Sequence, residues 1–171
     1  MDKPQSIATG STRDGRVKDH MTRDVITIDP SESCQKALMM MHSAGINHLP
    51  VVERSRLVGI LTERDIHRRA PELRRSAEAG SRKRLLSLVN VGGVMTYAPA
   101  TVSSQTSLRE ALDVMLKRRI GCLPVMRKGH LVGIFTTRDA MGVLTGASAQ
   151  SERTKEAGHG TACDGKHSAS R

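Results

Sequence analysis

Leu57-Val58-Gly59-Ile60-Leu61-Thr62-Glu63-Arg64-Asp65 returns 74 residues further on as Leu131-Val132-Gly133-Ile134-Phe135-Thr136-Thr137-Arg138-Asp139. Working outward without a gap, Met21 to Asp65 aligns with Met95 to Asp139, and 18 of 45 positions are identical. The matches include Met21-Thr22 with Met95-Thr96, Ala37-Leu38 with Ala111-Leu112, and Leu49-Pro50-Val51 with Leu123-Pro124-Val125. Self-similarity at a fixed offset marks a duplicated structural unit. Two copies imply a pseudo-twofold arrangement with two related surfaces.

Each copy reads in the same order. A short extended piece comes first, Val25 to Ile28 and Thr101-Val102. A helix follows, because Cys34, Ala37, Leu38 and Met41 recur at i, i+3, i+4 and i+7, as do Leu108, Ala111, Leu112 and Met115. Ser31 is the expected N-cap of the first helix, and Ser107 with Glu110 forms a capping-box pattern for the second. Two apolar strands come next, Leu49 to Val52 and Leu57 to Leu61 in one copy, Leu123 to Met126 and Leu131 to Phe135 in the other. A second helix starts at Thr62 or Thr136. The unit is β-α-β-β-α, and the predicted fold class is mixed α/β (α+β). The two units are expected to cover each other's apolar sheet faces. Met39-Met40-Met41 read as gap-filling and edge residues of the first helix rather than as metal ligands.

Composition narrows the function classes. One Phe, one Tyr and no Trp in 171 residues leave no aromatic platform for stacking single-stranded nucleic acid. No apolar run approaches the ~18 residues of a membrane span, and Met1 to Gly10 lack the apolar region of a secretory signal. Three cysteines, Cys34, Cys122 and Cys163, form no Cys-x-x-Cys pair, which fits a reducing, cytoplasmic setting. His159, Cys163 and His167 match no common zinc spacing, so no metal site is expected. The formal net charge is +10, and residues 66–93 hold seven basic and two acidic residues. Leu85, Leu88 and Val89 mark a helix over about 81–90 there, with Arg82-Lys83-Arg84 on its basic side.

The run Val17 to Thr22, then Val25-Ile26-Thr27-Ile28, then Gly45 to Val52, then Leu57 to Asp65 resembles the cystathionine-β-synthase-type (CBS) domain. The second copy repeats the resemblance with Val94-Met95-Thr96, Ile120 to Val125 and Leu131 to Asp139. Tandem CBS repeats form a so-called Bateman module with two clefts. The resemblance implies a regulatory ligand with an adenosine moiety: AMP, ADP, ATP or S-adenosylmethionine. It also implies a homodimer, and signalling by conformational change to a regulated protein partner. It places Asp65 and Asp139 at ribose hydroxyls, Thr62 and Thr136 close to sugar or phosphate, and Arg64 and Arg138 at phosphate. It places Thr27, Thr101 and Val102 at the adenine edge, Ile26 and Ile28 around the base, and Asn47 and His48 near the phosphates. Cys122 departs from the pattern where the first copy carries His48.

The residues themselves support such roles and also plainer ones. An ionised carboxylate is acceptor-only and takes two hydroxyl donors, and a helix N-terminus offers N–H groups to phosphate. Thr-x-x-Asp is equally an ordinary capping box. Gly59 and Gly133 inside strands call for a close approach by another backbone or by a ligand. Lys117-Arg118-Arg119 stand where the first copy has Ser43-Ala44-Gly45, and either complement a helix dipole or neutralise a polyphosphate. No nucleophile–base pair, metal cluster or paired carboxylates argue for catalysis, so no enzyme is expected. Two other readings stay open. One is a basic nucleic-acid-associated protein using Arg68, Arg69, Arg74, Arg75, Arg82, Lys83 and Arg84. The other is a scaffold with empty clefts. The expected organisation is a tail over 1–16, repeats over 17–70 and 93–147 joined by a basic helical linker over 71–92, and a second tail over 148–171.

Overall fold

The computed structural model describes residues 15–69 and 79–145. The expected tails lie outside the described residues apart from Gly15 and Arg16, as do His159, Cys163, His167, Arg74 and Arg75. The first half runs α1 (Val17–His20), α2 (Cys34–Ser43), β1 (His48–Glu53), β2 (Arg56–Thr62) and α3 (Glu63–Arg69). The connection carries α4 (Ala79–Leu88), α5 (Val91–Val94) and β3 (Thr96–Tyr97). The second half completes the chain with β4 (Val102–Ser103), α6 (Leu108–Arg118), β5 (Cys122–Arg127), β6 (His130–Thr136) and α7 (Thr137–Thr145).

The strand pair of each copy is an antiparallel hairpin, β1 with β2 and β5 with β6. Arg54 and Ser55 in one turn, and Lys128 and Gly129 in the other, all have positive φ. That is the two-residue connection whose twist matches the flanking strands. Most of each apolar stripe read from the sequence is buried, Cys34, Ala37 and Met41 on α2 and Leu108, Ala111 and Met115 on α6, whereas Leu38 and Leu112 are only partly covered. Met39 is exposed. The cap of α2 is Ser33, whose hydroxyl accepts from Lys36 N at 3.2 Å, not Ser31. Ser31 instead donates to Asp29 Oδ1 from both its amide and its hydroxyl, a local turn that captures it one step too early. The repeat carried the answer, since Ser33 is the counterpart of Ser107. On α4 the buried residue is Leu86, with Leu85 and Val89 partly covered, whereas Leu88 is 74% exposed.

The expected first strand is shorter than read. Val25 to Ile28 make a single parallel bridge, Ile28 to Val51, and the second copy makes two paired residues, Val102 and Ser103, against β5. The chain before that bridge is diverted to the other copy. Thr96 and Tyr97 extend the first sheet by pairing with Ile60 and Gly59. Thr22 pairs with Ile134 in the second sheet, with reciprocal N–H···O bonds of 3.0 and 2.9 Å. The lead segments are thus exchanged. Val17 and Met21 belong to the core of the second half, and Val91, Val94 and Met95 to that of the first.

This exchange is why Gly59 and Gly133 are glycines. A Cβ on Gly133 would sit 3.0 Å from Thr22 O and against Met21 Sδ, and one on Gly59 would meet Met95 and Thr96 O in the same way. The close approach expected from the sequence is by the partner segment's backbone and methionine. Between the sheets lies a small third cluster, Ile60, Ile134 and Cys122, with Val25 against it.

Candidate functional site

Two clefts open where the halves meet, and the 74-residue offset relates them. The first is walled by Thr22 and Asp24 to Ile26, by Gly45 to His48, and by Ile134 and Thr136 to Arg138. The second is walled by the counterparts Thr96 and Ala98 to Ala100, by Arg118 to Cys122, and by Ile60 and Thr62 to Asp65. Asn47 and His48 reach both. Each cleft is therefore built from both repeats. The second measures about 900 Å³ and the first about 120 Å³; small-molecule sites span roughly 300–1,000 Å³.

At each cleft a β-strand runs directly into a helix, and the Thr-x-x-Asp sequence sits on that junction. Thr62 N and Oγ1 donate to Asp65 Oδ2 at 3.0 and 2.6 Å, and Asp65 N donates back to Thr62 Oγ1 at 3.1 Å. Thr136 and Asp139 repeat the arrangement at 2.7, 2.8 and 3.3 Å. Both are complete capping boxes. All the bonds to carboxylate fall on Oδ2, so capping and ligand contact are compatible: Oδ1 of either residue accepts no hydrogen bond from the described residues. Asp65 is half-buried and lines its cleft, whereas Asp139 is 4% exposed and lies behind Thr136 to Arg138.

The remaining sequence-expected residues divide. Arg64 and Arg138 are exposed wall residues, and neither meets a carboxylate within 4 Å among the described residues. Ile26 lines the first cleft at 40% exposure. Ile28 does not: it is 4% exposed and belongs to the core of the first half. Val102, its counterpart, is buried in the other core. Pairing to β1 and β5 turns both inward. Thr27 and Thr101 are exposed and outside both clefts, Thr27 lining a separate hollow with Arg23 and His130. The residues of this stretch that do wall the clefts besides Ile26, namely Asp24, Val25, Ala98, Pro99 and Ala100, lie one to four positions earlier in each copy. Gly45, Ile46 and Ile120 were also not singled out as contacts. Comparing both copies around the Gly-Ile and Arg-Ile steps is the signal that finds them.

Burial sets the protonation of the central groups. It pushes the His48 imidazole below its ordinary value, against an opposing pull from Asp65. It pushes the Cys122 thiol up to about 12, with Asp65 adding to the shift. Both groups are therefore neutral near pH 7. Cationic charge in the second cleft comes from Arg64, Arg68, Arg118 and Arg119. Among the described residues no cluster of His, Cys, Asp or Glu suits a metal ion, and no helix is long and apolar enough to cross a membrane.

Residues 17–72 and 91–146 each match the CBS domain family. The chain is 32% identical over 139 residues to the CBS domain-containing protein YhcV of Bacillus subtilis, covering 81% of this chain and 92% of that one. It is 35% identical over 125 residues to inosine-5′-monophosphate dehydrogenase of Korarchaeum cryptofilum, covering 72% of this chain but 23% of the dehydrogenase. Among solved structures, the CBS domain pair of protein MJ0100, in complex with 5′-methylthioadenosine and S-adenosyl-L-methionine, superposes with a TM-score of 0.64 at 26% identity over 77% of this chain and 97% of that one. The chain belongs to the CBS domain family, as a tandem pair.

Proposed function

We propose that this CBS pair is a regulatory module that binds an adenosine ligand, AMP, ADP, ATP or S-adenosylmethionine, in its interdomain clefts and signals by a change in the relative placement of its halves. The observation that carries the reading is the twin junction of strand, Thr-x-x-Asp and helix, each facing a cleft built from both repeats. The adenosine ligands of the MJ0100 pair support the choice of ligand class. In this reading Asp65 and Asp139 accept from ribose hydroxyls through Oδ1, Arg64 and Arg138 meet phosphate, and Asn47 and His48 serve as neutral hydrogen-bond partners between the sites. Catalysis is not assigned to the chain. Repeats over 17–70 and 93–147, a linker over 71–92, a cytoplasmic location, a homodimer and a regulated protein partner complete the proposal.

The test is calorimetric titration of the folded protein with AMP, ADP, ATP and S-adenosylmethionine at up to millimolar concentration. Saturable heat with at least one, weakened by Asp65→Asn or Asp139→Asn, is the expected result. Heat with none overturns it. Native mass spectrometry of the same sample reads the subunit number.

A further inference from the structure

The duplication supplies an internal control, because every wall position of the smaller cleft has its counterpart on the wall of the larger. The charged positions do not match. Arg118 and Arg119 stand opposite Ala44 and Gly45, Arg68 opposite Gly142, and Asp24 opposite Ala98. The Asp65 cleft therefore carries four arginines against Glu63 and Asp65, and the Asp139 cleft one arginine against Asp24. None of the four arginines pairs with a carboxylate within 4 Å among the described residues. His48, half-buried and neutral between the clefts, does not even out the balance. Arg119 also occupies a backbone position with φ 53°, where its counterpart Gly45 has φ 61°. A left-handed residue with a side chain is disfavoured, so an arginine lines the larger cleft here at a conformational cost.

We propose, resting on the adenosine reading above, that the two clefts take different members of that ligand class. The Asp65 cleft takes a nucleoside polyphosphate, its phosphate chain running to Arg118 and Arg119. The Asp139 cleft takes an adenosine ligand without a phosphate chain, which Asp24 favours by repelling phosphate. An unpaired guanidinium fork is suited to phosphate oxygens, and the Asp139 cleft is the smaller of the two and offers one such fork, Arg138, beside the acidic Asp24.

The experiment titrates the full chain with ATP, then titrates the ATP-saturated protein with 5′-methylthioadenosine. The expected result is one equivalent of each per chain. Arg118→Ala and Arg119→Gly each lower ATP affinity about tenfold, the effect of one charge-assisted contact, and leave 5′-methylthioadenosine unchanged. Asp24→Ala raises the ATP stoichiometry toward two. Arg119→Gly is the variant that keeps the fold, since glycine suits its backbone. Two equivalents of ATP in the unmodified protein, or an ATP affinity indifferent to both arginines, overturns this assignment while leaving adenosine binding standing. Heat from neither ligand overturns both.

Discussion

Replacing Gly133 with alanine adds one methyl group at the point where the exchanged lead segment crosses β6. The added carbon would lie 3.0 Å from Thr22 O and against Met21 Sδ, with Met21 only 6% exposed. The sulfur can shift, but the carbonyl is held by its 2.9 Å bond from Ile134 N. Overpacking of this kind costs about 1–3 kcal/mol, and the stiffer unfolded chain returns about 0.4–1 kcal/mol. A net loss of about 1–2 kcal/mol corresponds to a melting point about 2–8 °C lower for a domain of this size. Urea unfolding and calorimetric melting read both quantities. Gly93→Ala is the control, since no atom lies within 4 Å of its added carbon, and it should be neutral or stabilising. In a Met21→Ala background the Gly133→Ala penalty should shrink, because the sulfur half of the clash is gone. A Gly133→Ala protein as stable as the original, or a penalty unchanged by Met21→Ala, refutes the reasoning.

Arg119→Gly should stabilise the fold by about 1 kcal/mol, the cost of a side chain in left-handed backbone, measured by urea unfolding without ligand; a loss of stability would mean the Arg119 side chain holds the fold. His48 should titrate below 6.5 by NMR. Its folded form binds the proton less readily than the unfolded chain does, so stability should rise with pH through the window just below 6.5 and fall on acidification. His48→Gln should flatten that part of the profile. In a Cys163→Ser background, Cys34 and Cys122 should resist a thiol reagent at pH 8 until the chain is unfolded, because burial holds both and raises them to about 11 and about 12; rapid labelling of the native protein would contradict that burial.

The order of elements was legible because period and caps agree at each place. The i, i+3, i+4, i+7 stripe of α2 and α6 and the paired Leu-Pro-Val and Leu-Val-Gly-Ile runs each carry their own signal. Thr62-x-x-Asp65 and Thr136-x-x-Asp139 were legible as cap and site together, since both roles use the same carboxylate. What was hidden is non-local, apart from one local turn. Ile28 reads as a cleft residue until its bridge to Val51 turns it into the core. Ser31 reads as a cap until Asp29 captures it. Leu88 reads as a core residue of α4, yet Leu86 is the one buried in the first cluster with Cys34 and Met41. The exchange of lead segments leaves no local signature other than two glycines, whose need was visible and whose cause was not. The arginines of the second cleft stood in the sequence as a helix-end cluster, and only the fold puts Arg118 and Arg119 on the same opening as Arg64 and Arg68.

Because each half borrows its outer seam from the other, a single repeat on its own would end in a raw edge, with β2 or β6 lacking its second neighbour. A second lone repeat offers the very strip that is missing. The joined pair and a dimer of unjoined units thus differ only by one connector, and a chain cut within that connector should reassemble from its two pieces. Divergence after joining is then free to act on one opening without disturbing the shared seam.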